Sequence, residues 1–221
     1  MLEGAIFDID GTLIDSVDAH AEAWAQAFAE NGRHLDVADA RSQIGKGGDN
    51  LLPVFLDEAT LKAQGAAFEE AHGRIFLERY RPHMQPFPQV RELFQALADR
   101  GVRLALASSS ERPDLEHYAQ LMGIKDLLHS TTSNEDAERS KPDPDIFQVA
   151  FKRLQPMDVR RTLAFGDSPY DAQAASGVGL RTVGLACGGF PEADLKGAGM
   201  IRIYRDPADM LQRLDEIMTL V

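Results

Sequence analysis

Apolar residues recur along this chain in two alternating rhythms. Ala5, Ile6, Phe7 and Ile9 form a short continuous run closed by Gly11, which predicts a buried strand ended by a turn. After Ser16, a residue suited to cap a helix, Val17, Ala21, Trp24 and Phe28 follow at helical spacing until Asn31-Gly32 stops them. Residues 35–81 hold no strand-like run, and Phe68, Ala71 and Ile75 predict a further helix that ends before Pro82. The rhythm then changes. Val90, Leu93, Phe94 and Leu97 mark one helical face, Gly101 caps it, and VRLALA reads as a strand. The same alternation repeats with a helix through Leu115, Tyr118 and Met122 closed by Gly123, a short strand in DLLHST, and a proline-started helix carrying Ile146, Phe147, Ala150 and Leu154. RTLAFG and LRTVGL read as strands around a short helix ending at Gly177, MIRIY as the last strand, and PADMLQRLDEIM as one closing helix.

Strand alternating with helix predicts an α/β fold, an open parallel sheet with helices on both faces. The helical stretch 16–81 is far longer than the usual connection of about 2–6 residues between a strand and a helix. It is expected to form an inserted all-helical domain, with residues 1–15 and 82–221 as the core. Ligands of open α/β sheets gather at the carboxyl ends of the strands, so an insert leaving the chain just after the first strand would overhang the site.

Composition narrows the picture further. At 221 residues the chain can bury a full core, and no apolar run approaches the roughly 18 residues of a membrane span. With little chain ahead of the first strand for a signal peptide, a cytoplasmic location is expected. One cysteine, Cys187, rules out an internal disulfide framework and a cysteine-built zinc site. The net charge of −12 disfavours nucleic acid and anionic lipid as partners. An anionic substrate would need a metal ion or a focused basic pocket.

Four features fall at the ends of predicted strands. Asp8 and Asp10 sit two apart after the first apolar run and share a face if strand geometry persists to Gly11. Ser108, Ser109 and Ser110 follow the second strand, where hydroxyls and amides near a helix start suit a phosphate oxygen. Lys141 stands before a helix start, where a cation gains nothing from the helix dipole. Asp167 ends the strand of LAFGD, and Asp171 lies in the next helical turn. Each has an ordinary reading alone, as a turn, a cap or a solvated loop. Their coincidence at one sheet edge is specific. Asp8, Asp10 and Asp167 are hard oxygen ligands suited to Mg²⁺, which would supply the missing positive charge.

These motifs, DIDGT at 8–12, Ser108, Lys141 in SKPDPDIF and GDSPYD at 166–171, resemble the four motifs of the haloacid dehalogenase superfamily in order. The helical insert resembles the cap of its phosphoglycolate phosphatase-like and β-phosphoglucomutase-like branch. The resemblance implies a Rossmann-like core with a mobile cap and a Mg²⁺-dependent phosphatase acting on a small phosphorylated metabolite. It implies Asp8 as the nucleophile forming an aspartyl-phosphate, and Asp10 as the acid and base, with a pKa raised toward the working range. Ser108, Ser109 and Lys141 would hold the phosphoryl group. Asp8, the Asp10 carbonyl and Asp167 would bind the metal, and Asp171 would stand behind them. Dehalogenases of the family lack an acid two places after the nucleophile, so Asp10 favours phosphoryl transfer. Phosphonate-cleaving relatives use a cap lysine, which Lys46 in IGKGGDN keeps in view. Lys46 is also a candidate for contacting the rest of the substrate, a phosphoglycolate-like acid or a sugar phosphate. A phosphomutase of the β-phosphoglucomutase type and a non-catalytic phosphate- or metal-binding regulator are the alternatives. The motifs recognise phosphate, so the sequence leaves the leaving group and the oligomeric state open.

Overall fold

The short apolar runs become six parallel strands in a computed structural model that describes residues 1–221. They are β1 (Gly4–Phe7), β2 (Arg103–Ala107), β3 (Leu128–Thr132), β4 (Thr162–Gly166), β5 (Arg181–Leu185) and β6 (Arg202–Tyr204), in the spatial order β3-β2-β1-β4-β5-β6. This is the Rossmann-like order, whose direction reverses between β1 and β4. The register sets Phe7 beside Leu106 on one side and Phe165 on the other. Asp8, Ser108 and Asp167 therefore leave neighbouring strands at one carboxyl edge.

Both faces of the sheet are covered, and the period of two along each strand sorts the residues. Ala5 and Phe7 join the larger core, in which Phe7 stacks on Phe165 with ring centroids 4.4 Å apart. That face is covered by α5 (Val90–Asp99), α6 (Arg112–Leu121), α10 (Pro207–Gln212) and α11 (Leu214–Ile217). Ile6, Ala105 and Ala164 point the other way, against Phe147 and Ala150 of α7 (Asp145–Arg153) and Ala174 of α8 (Pro169–Ser176). A short α9 (Glu192–Gly197), which no periodicity announced, covers β5 and β6 through Leu195.

Residues 17–83 contain no strand. They form α1 (Val17–Glu30), α2 (Val37–Arg41), α3 (Gly48–Phe55) and α4 (Glu58–Ile75), the last running on through a wider π turn (Phe76–Tyr80) and a short 3-10 turn (Arg81–His83). Trp24, Phe28, Phe68 and Phe76 bury their faces against one another, in a core continuous with that under the sheet. The chain leaves and re-enters the sheet region through paired crossings, with the Asp15 N–H on the Gln85 carbonyl (3.0 Å) and the Phe87 N–H on the Leu13 carbonyl (2.9 Å).

Three expectations are corrected. The helix after Lys141 begins at Asp145, not at Pro142, because Pro144 bars Asp143 from helical geometry. The closing helix is two short ones, broken at Arg213, whose side chain turns back to Glu216 and lies over the Tyr204 ring. Ser16 does precede α1, but its hydroxyl does not cap the helix. It donates to Asp10 at 2.7 Å.

Candidate active site

The turn after β1 builds the site. The strand ends at Phe7, and the chain then folds back so that the N–H groups of Thr12, Leu13 and Ile14 all reach the Ile9 carbonyl. Gly11 makes this possible. Its φ is +81°, and a side chain there would strike the Asp167 carboxylate and Val17. The period of two therefore stops before Asp10, and Asp8 and Asp10 acquire separate surroundings while lining the same cavity.

Asp8 is 2% exposed and faces Lys141, which is 1% exposed. The Lys141 ammonium donates to Asp8 Oδ1 at 2.5 Å and to Asp171 Oδ1 at 2.8 Å. Asp171 has its other oxygen committed as well, accepting from the Ser168 N–H (3.1 Å) and hydroxyl (2.7 Å) in the capping box that starts α8. Asp167 accepts from Thr12 Oγ1 at 2.8 Å, and the same hydroxyl lies 3.5 Å from Asp8 Oδ2. Carboxylate oxygens of Asp8, Asp167 and Asp171 lie within 4.8 Å of one another, all buried.

One ammonium thus faces three carboxylates, and the electrostatics show the shortfall. Burial, with Asp171 and Asp10 nearby and Lys141 only partly offsetting them, pushes Asp8 up to about 7. Burial and the charges of Asp171 and Asp8 push Asp167 well above the usual carboxylate range. Burial alone would lower Lys141, but Asp171 and Asp8 hold it above the ordinary lysine value, so it stays charged. Buried hard oxygens short of positive charge fit a small divalent cation, and with both Asp171 oxygens spent, Asp8 and Asp167 are the side chains free to hold one.

Asp10 lies in the other compartment. Its Oδ1 accepts from Ser16 Oγ (2.7 Å) and faces His20 Nε2 (3.2 Å), while its Oδ2 accepts from Ser110 Oγ (2.8 Å). The expectation of a raised pKa is reversed. Burial pushes it up, but His20 and the two serine hydroxyls outweigh that and hold Asp10 well below the usual carboxylate range. His20 Nδ1 lies 3.3 Å from His72 Nε2, and the pair is sandwiched between Phe76 and Trp24.

The serine run divides. Ser108 is fully buried in the turn, with its Oγ taking the Ser110 N–H at 3.1 Å. Ser109 lines the cavity, and its buried hydroxyl has no partner in the protein. Lys46 lines the same cavity of about 970 Å³, donating to Gln43 Oε1 (2.6 Å) with its ammonium 4.7 Å above the Tyr170 ring centre. Cys187 is half-buried, its Sγ 3.2 Å from the Gly11 carbonyl, and burial pushes its thiol up, away from nucleophilic use. Two groups escaped the reading of the sequence: Thr12, which joins Asp8 to Asp167, and His20, which faces Asp10. A signal for His20 existed, since Ser16 and His20 lie four apart on one face at the start of α1.

Comparison with known proteins places this geometry. A model of haloacid dehalogenase-like hydrolases matches residues 2–179. The validoxylamine A 7'-phosphate phosphatase of Streptomyces hygroscopicus subsp. limoneus is 28% identical over 188 residues, 84% of this chain and 86% of that protein. The phosphoglycolate phosphatase of Rhodospirillum rubrum is 25% identical over 218 residues, 95% of this chain and 90% of that one. The crystal structure of a hydrolase from Pseudomonas syringae superposes with a TM-score of 0.90 at 29% identity, covering 98% of this chain and 100% of its own. A Rossmann-ordered sheet with Asp8, Lys141 and Asp167 at its switch point, together with a family match over most of the chain, shows that this protein belongs to the haloacid dehalogenase-like hydrolases.

Proposed function

We propose that this hydrolase is a Mg²⁺-dependent phosphatase that cleaves a small phosphomonoester through an aspartyl-phosphate on Asp8. The observation that carries the reading is the Asp8 carboxylate, buried at the carboxyl end of β1, opening on the cavity and gripped by Lys141. A carboxylate held there can attack phosphorus, and the ammonium 2.5 Å away steadies both the nucleophile and the phosphoryl charge. Asp8, Asp167 and the Asp10 carbonyl would hold the cation, which supplies Lewis-acid stabilisation of the phosphoryl oxygens when bound. Ser109 donates its free hydroxyl to a phosphoryl oxygen, while Ser108 shapes the turn that presents it.

Asp10 serves as acid and base together with His20. Asp10 would pass a proton to the leaving oxygen and then take one from the attacking water, with His20 orienting its carboxylate across the 3.2 Å contact. Thr12 and Asp171 orient their partners, the first Asp167 and the second Lys141. Residues 16–81 act as the cap that encloses the substrate.

The cavity wall supports a polyhydroxylated leaving group over a carboxylate. Glu69, Glu70, Glu111 and Glu138 line it. Of its cations, Arg81 is spent on Asp114 and Arg74 on Glu30, while Lys46 rests on Gln43. A second anion on the substrate would face these four carboxylates, with Lys46 the lysine there whose charge no acid already pairs. The test is a panel of phosphate esters assayed with purified protein in Mg²⁺ and in EDTA. Expected is Mg²⁺-dependent phosphate release, faster from sugar phosphates than from 2-phosphoglycolate, with no glucose 6-phosphate made from β-glucose 1-phosphate. Hydrolysis unaffected by EDTA would sink the metal site, and glucose 6-phosphate formation would make the protein a mutase.

A further inference from the structure

The segment that carries Lys141 is held on both sides, and one of those sides belongs to the helices rather than to the sheet. Ser140 precedes Lys141 and is 8% exposed. Its N–H donates to Asp49 Oδ2 at 3.0 Å, and its hydroxyl donates to Asp49 Oδ1. Its carbonyl accepts from Asn50 Nδ2 at 2.9 Å, and the Gly47 N–H reaches its Oγ at 2.9 Å. Asn50 Nδ2 also lies 3.4 Å from the Lys141 carbonyl and 3.2 Å from Asp143 Oδ2. Partners more than 85 residues away in sequence thus satisfy the N–H, hydroxyl and carbonyl of the residue before Lys141. Gly47 is required for the approach, because a Cβ there would lie 2.6 Å from Ser140 Cβ.

Other polar contacts between helices and core, among them His20 on Asp10 and Arg81 on Asp114, lie elsewhere. Tyr170 donates its hydroxyl to the Ser42 carbonyl at 2.7 Å, and Arg41 donates to the Gly188 carbonyl at 3.1 Å. Among the helices between residues 17 and 83, the start of α3 is the element that bonds the backbone flanking Lys141. If α3 lifts away, the Ser140 N–H and hydroxyl lose their partners at once, while its carbonyl keeps only the Asp143 N–H at 3.0 Å. The Lys141 ammonium reaches Asp8 from a loop, so a shift of that loop by even about 1 Å misplaces it.

We propose that Asp49 and Asn50 are positioning residues that latch the Ser140–Lys141 segment, so that seating α3 on the core places Lys141 against Asp8. The proposal rests on the phosphatase reading for its kinetic consequence and on the contacts alone for its structural one. It gives the GKGG stretch a second use: Gly47 brings the start of α3 onto Ser140 while Lys46 faces the cavity.

The experiment compares wild type with Asn50→Ala, Asp49→Ala and Asp49→Asn, using p-nitrophenyl phosphate turnover and the rate at which an amine-reactive acylating reagent labels Lys141, read by peptide mass spectrometry. In wild type Lys141 is 1% exposed, and slow labelling is expected. Expected in both alanine variants is a fall in kcat on the order of 10- to 100-fold with KM changed by less than about threefold, and Lys141 labelling at least about tenfold faster. Asp49→Asn keeps an acceptor for the Ser140 N–H and is expected to recover most of the loss. Unchanged Lys141 labelling in both alanine variants overturns the latch, even if kcat falls, since that pattern marks a merely structural defect. Should wild type release no phosphate from any ester, the phosphatase reading fails, and the labelling comparison still decides the latch.

Discussion

Replacing Asp8 by Asn should abolish turnover and, in the absence of metal, make the protein more stable. Asn keeps the shape of the side chain and a carbonyl oxygen for Lys141 to donate to, but removes one of three carboxylates crowded around one ammonium. Asp8 is fully buried, with its pKa raised from 3.8 to about 7. A carboxyl whose folded pKa lies above its unfolded one binds its proton more tightly in the folded state, so ionising it destabilises the fold. The penalty is absent below the unfolded pKa, grows between about pH 4 and pH 7, and is complete above the folded value. Three pKa units amount to about 4 kcal/mol, the upper bound on what Asn can return at neutral pH. For a chain of this size each kcal/mol moves Tm by roughly 2–4 °C. Thermal unfolding in EDTA at pH 7.5 should therefore show Asp8→Asn melting several degrees above wild type, with the gap about halved at pH 5. Mg²⁺ should raise the wild-type Tm and leave the variant nearly unmoved. A variant that melts below wild type at pH 7.5, or a gap that ignores pH, would refute the charge reasoning.

Lys141→Met should give the opposite stability result with the same loss of activity, a cost of about 3–5 kcal/mol in EDTA, because Asp8 and Asp171 are left buried without their counter-charge; urea unfolding measures it. Gly11→Ala forces a Cβ at φ +81° onto the Asp167 carboxylate and should lower stability by about 1–3 kcal/mol and reduce Mg²⁺ affinity, read by calorimetric titration. Burial and the neighbouring His20 hold His72 well below the usual histidine range. The unfolded chain therefore takes up its proton first as pH falls, and stability from this group is lost below about pH 6.5. Subtracting the Tm–pH profile of His72→Phe from that of wild type isolates this loss.

The sheet was legible because its strands are short, fully buried apolar runs, and the site because Asp8, Lys141 and Asp167 follow or approach those strands in an order that few arrangements share. What escaped depends on contacts that sequence spacing does not encode. Ser16 is as good a cap by composition as any serine, yet its hydroxyl goes to Asp10, since the turn at Gly11 brings that carboxylate within 2.7 Å. The Asp8–Asp10 spacing promised one shared face, but β1 ends at Phe7 and the two residues part. The three consecutive serines look equivalent in the sequence. Only the fold leaves the buried Ser109 hydroxyl unpartnered and turns Ser110 to Asp10. The break at Arg213 follows from a side chain reaching Glu216 and Tyr204, and no period within the segment foretells it.

Two carboxylates two residues apart are tolerable here because each is steadied from a different direction. The counter-charge of Asp8 comes from Lys141, on a core loop; most of what steadies Asp10 comes from Ser16 and His20, on and just before the first helix of the insert. The Lys141 loop is in turn tied to Asp49 and Asn50 of the same insert. Both halves of the proposed chemistry, the charge that would steady the nucleophile and the group that would handle the proton, thus depend on helices outside the sheet. Lifting those helices would loosen Lys141 and strip His20 from Asp10 together, so an open molecule would hold Asp8 without its placed counter-charge and Asp10 without its imidazole partner. Under the proposed mechanism, such coupling would confine attack on phosphorus to the state in which the helices are seated on the core.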